Sequence, residues 1–117
     1  MSNYTSFEVS EKLWKAGLRP EEGHKTSIHH KDGVIDHIYG YKSIVGIDET
    51  IEETRLFPCY NLGQLVSEIF KKQPHIELMQ IEDNEFATKD LYGVMIFATT
   101  KEDAAGELLI KILEAKG

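Results

Sequence analysis

The chain has 117 residues, a net charge of −7 and 41% hydrophobic residues. That length fits one domain, residues 1–117, with enough apolar content for a core and too much for a disordered chain. No apolar run approaches the ~20 residues that cross a bilayer, and a lone cysteine excludes an internal disulfide or a multi-cysteine metal site.

Lys and Arg are scattered, the longest basic run being Lys71-Lys72, which argues against duplex nucleic acid as the main ligand. The opening MSNYTSFEVSEKLW has no basic region followed by an apolar stretch. No signal peptide is read there, the glycosylation triplet Asn3-Tyr4-Thr5 carries no weight, and a cytoplasmic protein is expected. The acidity suits solubility, or a surface that engages a basic partner.

The first element is a helix over residues 6–16. Thr5 suits the N-cap, Glu8 the returning N3 position, and Tyr4 and Val9 a hydrophobic staple. Val9, Leu13 and Ala16 fall on one face, flanked by Trp14. Gly17 stands where a left-handed C′ residue belongs, with Leu18 able to fold back on Leu13. A loop follows through Arg19-Pro20 to Gly23.

The next segment contains HHKDGVIDH, residues 29–37, with three histidines and two aspartates in nine positions. Asp32-Gly33 predicts a two-residue type I′ turn. The register then opposes His30 to Ile35, His29 to Asp36 and Ile28 to His37. Ile28, His30, Ile35 and His37 share one face, and the pair reads as an outer hairpin of a sheet.

Residues 42–57 carry Asp48, Glu49, Glu52 and Glu53, with Ile47, Ile51 and Leu56 spaced loosely as in a helix; one or two helical turns or a mobile acidic loop fit them, and a solvated loop is the favoured reading. A strong helix follows, with Asn61 as cap, Gln64 at N3, Tyr60 stapling onto Leu65, and a stripe of Leu62, Leu65, Val66, Ile69 and Phe70. Pro74 stops it. Residues 76–81 read as a strand, residues 82–90 as a long polar connection, and residues 91–100, apolar on both faces, as the central strand. Gly93 within it marks a bulge or a close backbone approach. The last helix begins at Thr99 or Thr100, either of which makes a capping box, and carries Ala105, Leu108, Leu109, Ile112 and Leu113 inward. The sum is an α+β fold in the order α-β-β-α-β-β-α, with a four-stranded, mainly antiparallel sheet and helices on one face.

Chemistry is sparse. A zinc site needs three or four ligands at about 2 Å. The predicted register puts His30 and His37 diagonally on one face, so they are the metal candidates, with a third ligand required from His24, His75 or a carboxylate. The bland alternative is a structural hairpin in which His29 pairs with Asp36, and it is favoured. Cys59 lies just before a helix start, where a thiolate is helped, but its neighbours are apolar and a small buried hydrophobe is the simpler reading. The paired carboxylates Asp48/Glu49, Glu52/Glu53, Glu82/Asp83 and Glu102/Asp103 are explained by solvation or capping. Residues 83–90 lack calcium-loop spacing, and no phosphate-binding loop, dinucleotide fingerprint or serine elbow is present. No cofactor and no catalytic residue is therefore assigned. The scattered aromatics read as core and staple residues rather than a stacking platform. The stripe of the last helix also suits a homodimer contact.

Three segments, TSFEVSEKLWKAGL, FPCYNLGQLVSEI and TTKEDAAGELLIKILEAKG, follow a layout that resembles small bacterial and phage or prophage proteins of unknown function. Cys59 and Asn61 depart from it, since small or threonine residues are commoner there. The resemblance implies an accessory protein and carries no catalytic residue with it. The expectation is a small acidic interaction protein without enzymatic activity that binds a host or phage protein. The alternative is a metal-dependent module centred on His30 and His37.

Overall fold

A computed structural model of the chain describes residues 3–21, 26–73, 76–90 and 92–116. It shows an α+β protein with four α-helices and two three-stranded antiparallel sheets among those residues. The order is α1 (Phe7–Lys15), β1 (Thr26–His29), β2 (Ile35–Ile38), α2 (Ile47–Thr54), β3 (Phe57–Cys59), α3 (Leu62–Phe70), β4 (Glu77–Glu82), β5 (Glu85–Lys89), β6 (Met95–Ala98) and α4 (Lys101–Lys116). The single four-stranded sheet and the simpler element order are corrected accordingly. The chain forms two compact units, one comprising residues 6–59 and the other residues 1–5 with 60–117.

In the unit of residues 6–59, strand order is β2-β1-β3. β1 is central and buried along its length, not an outer strand. The Schellman stop of α1 forms as its sequence directs: Gly17 has φ +102°, and Leu18 and Gly17 donate to the carbonyls of Leu13 and Trp14, each at 3.0 Å. The N-cap is Ser6, whose Oγ accepts from Val9, and not Thr5. Residues 42–57 are not a solvated loop. A 3-10 turn, Tyr41–Ser43, precedes α2 and β3. Ile47 and Ile51, four apart, turn one face of α2 into a core with Trp14, Ile28, Tyr41 and Phe57, while Asp48 and Glu49 sit at the favourable end of its dipole. Pro58 sits in β3, an edge strand, where a missing N–H is tolerated.

In the other unit, strand order is β4-β5-β6. Residues 82–90 contain β5, so they are no polar connection, and β6 is an edge strand rather than the central one. The capping box of α3 is present as expected: Asn61 Oδ1 accepts from Gln64 N–H and Gln64 Oε1 from Asn61 N–H, each at 2.9 Å. Thr100 caps α4 by accepting from Asp103 at 3.1 Å. α4 packs on α3 and across β5 and β6. Thr88 Oγ1 donates to the Ala104 carbonyl at 3.0 Å, which fixes the sheet face that α4 covers. Leu65, Ile69, Leu108 and Leu109 are fully enclosed. Thr5 joins this unit through reciprocal bonds: its N–H donates to the Tyr60 carbonyl and its Oγ1 accepts from Tyr60 N–H.

Candidate functional site

The histidine hairpin differs from its expected geometry by one residue. His30 N–H donates to the Val34 carbonyl at 2.9 Å and Gly33 N–H to the His30 carbonyl at 3.0 Å. Gly33 has φ +96°, and Asp32 is not among the positive-φ residues. The loop is therefore a type I turn followed by a left-handed glycine, not the two-residue type I′ turn. One extra loop residue slides the pairing, so His29 opposes Ile35 and Ser27 opposes His37. A one-residue slip moves side chains to the other face of a strand, and His30 and His37 consequently point to opposite faces.

Each histidine then finds its own partner. His30 Nε2 lies 2.7 Å from Asp36 Oδ2. His37 Nδ1 lies 3.0 Å from Ser27 Oγ. His29 is buried, donates from Nδ1 to the His30 carbonyl at 2.6 Å and meets the Phe7 ring edge-on. The carboxylate contact expected of His29 thus belongs to His30. Among the described residues no group of three or more His, Cys, Asp or Glu side chains could hold a metal ion. His24 and His75, the other ligand candidates, lie outside the described residues. The shared face that made His30 and His37 a diagonal pair is therefore absent from this register.

Cys59 is 2% exposed, and burial pushes its thiol up to about 12. A nucleophile needs the opposite shift. Two acidic residues of α2 tie it to its surroundings, Glu52 to α1 and Asp48 to Tyr41 and Arg19. Asp48 accepts from Tyr41 and, at 3.2 Å, from Arg19 Nε, and Glu52 accepts from the Trp14 indole at 3.2 Å. The Tyr41 hydroxyl and the Arg19 guanidinium hold the Asp48 carboxyl below its ordinary value. Arg55, in a left-handed conformation with φ 57°, reaches Glu11 at 2.9 Å. Glu11, Trp14, Lys15, Arg19, Glu52 and Arg55, with Phe57, line a cleft of about 680 Å³. Its cations Lys15, Arg19 and Arg55 are all engaged by Glu11 or Asp48, so the cleft reads as a tether between helices.

The exposed chemistry lies on the second sheet. Across its strands Met79, Ala87 and Phe97 stand in one row, and Glu77, Lys89 and Met95 in the next. These alternate with Thr88 and so occupy the face away from α4. Phe97 is 56% exposed and Met95 38%. At the loop before β6, Asp90 N–H donates to the Val94 carbonyl at 3.1 Å, which makes those two a hydrogen-bonded pair. Alternation then directs the N–H and C=O groups of Ile96 and Ala98 towards β5, and those of Met95 and Phe97 away from it, along the open edge. Sequence reasoning missed this site because an uncharged strand, apolar on both faces, is the mark of a central strand.

Compared with known protein families, curated proteins and solved structures, the chain shows no match.

Proposed function

We propose that the chain is a protein-interaction module without enzymatic activity, which binds a protein partner through β6 and the sheet face away from α4. The carrying observation is the exposure of Phe97 and Met95 beside an edge whose outward backbone groups belong to the same two residues. Scattered exposed apolar residues are ordinary, but an apolar strip along a strand edge is a template for another chain. Separate local partners, Asp36 for His30, Ser27 for His37 and a backbone carbonyl for His29, account for the hairpin histidines, and burial accounts for the cysteine, so the most reactive residue types have structural work to do. The resemblance of the helix layout to small phage and prophage proteins is the support for an accessory role, with a host or phage protein as partner.

The test compares capture of proteins from lysate by the wild-type chain, by Phe97→Lys and by Glu53→Lys, a surface control on α2. A partner retained by wild type and Glu53→Lys but lost by Phe97→Lys upholds the reading. Equal capture by all three, or saturable turnover of a small molecule by the wild-type chain, overturns it.

A further inference from the structure

Resting on that reading, we infer that the occupant of the β6 edge is an extended segment of a protein partner, apolar at alternate positions and flanked by Lys or Arg, which adds to the sheet as a fourth strand. Four strand edges are open to comparison among the described residues, and three carry features that discourage pairing. β3 holds Pro58, β2 holds Asp36 and His37, and β4 holds Glu77 and Glu82 with an irregular register between Gln80 and Glu82. Charges, proline and bulges are the usual means of blunting an edge. β6, Met-Ile-Phe-Ala, has none of them. Its outward N–H and C=O groups, on Met95 and Phe97, are the ones a new strand would engage, and the side chains of those residues supply the contact surface beside it.

Charge selects the occupant. The face of the sheet that carries Phe97 and Met95 also carries Glu77 and Glu85, with Lys89 as the single cation among the residues aligned with them. Glu82 and Asp83 lie at the β4–β5 turn, and Lys101, Glu102 and Asp103 form the first turn of α4 beyond β6. Six carboxylates against Lys89 and Lys101 leave the surroundings of this uncharged strip net acidic, which is complementary to an apolar strand with cationic ends. A second copy of this chain brings the same carboxylates and another net charge of −7, so self-pairing is opposed where a basic segment is attracted.

The experiment pans a displayed library of random twelve-residue peptides on the immobilised full chain and on its Phe97→Lys variant, with circular dichroism establishing that the variant is folded. Enriched peptides should alternate apolar residues between Lys or Arg, bind the wild-type chain saturably, and bind Phe97→Lys at least tenfold more weakly. N-methylation of alternate backbone nitrogens in the best peptide should abolish binding, and replacing its Lys and Arg by Glu should weaken binding at least tenfold. Binding at Phe97 that survives N-methylation overturns strand addition, and binding indifferent to the Glu replacement overturns the basic partner; in both cases the interaction reading stands. A wild-type dimer in sedimentation that Phe97→Lys dissociates makes the second copy the occupant and overturns the inference. Absence of enrichment, or enrichment indifferent to Phe97→Lys, overturns the inference and counts against the interaction reading as well.

Discussion

The Arg19 guanidinium lies 3.4 Å from the centroid of the Trp14 ring. Nη1 of the same group donates to the Trp14 carbonyl at 2.8 Å and the Leu18 carbonyl at 3.0 Å, while Nε reaches Asp48. One side chain thus satisfies backbone acceptors at the end of α1, stacks on a buried aromatic ring and holds the first turn of α2. Cation–π stacking contributes roughly 0.5–2 kcal/mol, and each net hydrogen bond roughly 0.5–1.5 kcal/mol. Arg19 is partly exposed, so solvent screening places the sum at the lower end. Arg19→Ala is expected to lower unfolding stability by about 2 kcal/mol, read from the urea midpoint. Arg19→Lys keeps the charge but lacks the planar fork, and should recover less than half of the loss. Full recovery by lysine would show that charge alone matters here.

Tyr41 and Asp48 give this unit a pH dependence at both extremes. Asp48 is held below its ordinary value of 3.8 by the Tyr41 hydroxyl, against the upward pull of burial, and by Arg19. A depressed carboxyl contributes stability above its unfolded value, which is lost as pH falls through the folded one. Tyr41 is raised above its ordinary value of 10.0, by burial first and then by Asp48. Its contribution is complete below pH 10 and is lost as pH rises beyond it. Asp48→Asn should therefore be less stable than wild type at pH 7, with the gap closing below about pH 3.8. Tyr41→Phe should show a gap that closes above about pH 10. Denaturant titrations across pH decide this, and a gap constant with pH in either variant contradicts the coupling.

The hairpin depends on Gly33. At φ +96° an added Cβ meets nothing within 4 Å, so the penalty of substitution lies in the backbone alone. Gly33→Ala should cost about 1 kcal/mol and Gly33→Asn less, because asparagine tolerates the left-handed region. Thermal unfolding measures the order. If alanine and asparagine are equally costly, conformation is not what glycine supplies here. The same loop closure recurs at Gly93, φ +83°, whose N–H donates to the Asp90 carbonyl at 3.2 Å.

What the sequence made legible were the features coded by neighbouring residues. The stop at Gly17, the capping box of Asn61 and Gln64, and the inward stripe of Leu108 and Leu109 follow from contacts within one or two helical turns. The features that escaped depend on distant residues or on a single residue of loop length. Helix α2 lacks a capping side chain, since Gly46 precedes it, and its acidic face mimics a solvated loop until Trp14, Arg19 and Tyr41 arrive from elsewhere. Asp32-Gly33 serves two turn types that differ by one residue, and that residue decides which histidine faces Asp36. Gly93, expected to mark a bulge or a close backbone approach within a strand, instead closes a turn, which shortens the apolar run to Met95–Ala98 and leaves it at an edge.

Cys59 offers the sharpest separation between a reactive and a structural reading of this chain. Its thiol is buried and pushed up to about 12 by desolvation, so at pH 8 the thiolate needed for attack is scarce, and reagent cannot reach the sulfur without local opening. The native protein should react with a disulfide reagent at least a hundredfold more slowly than the urea-unfolded chain, with the rate falling as stability increases. Cys59→Ala should lower stability by roughly 1–2 kcal/mol through loss of buried volume while leaving partner binding at β6 unchanged. Rapid labelling of the folded chain would instead expose the sulfur as a usable nucleophile and contradict the structural reading of Cys59.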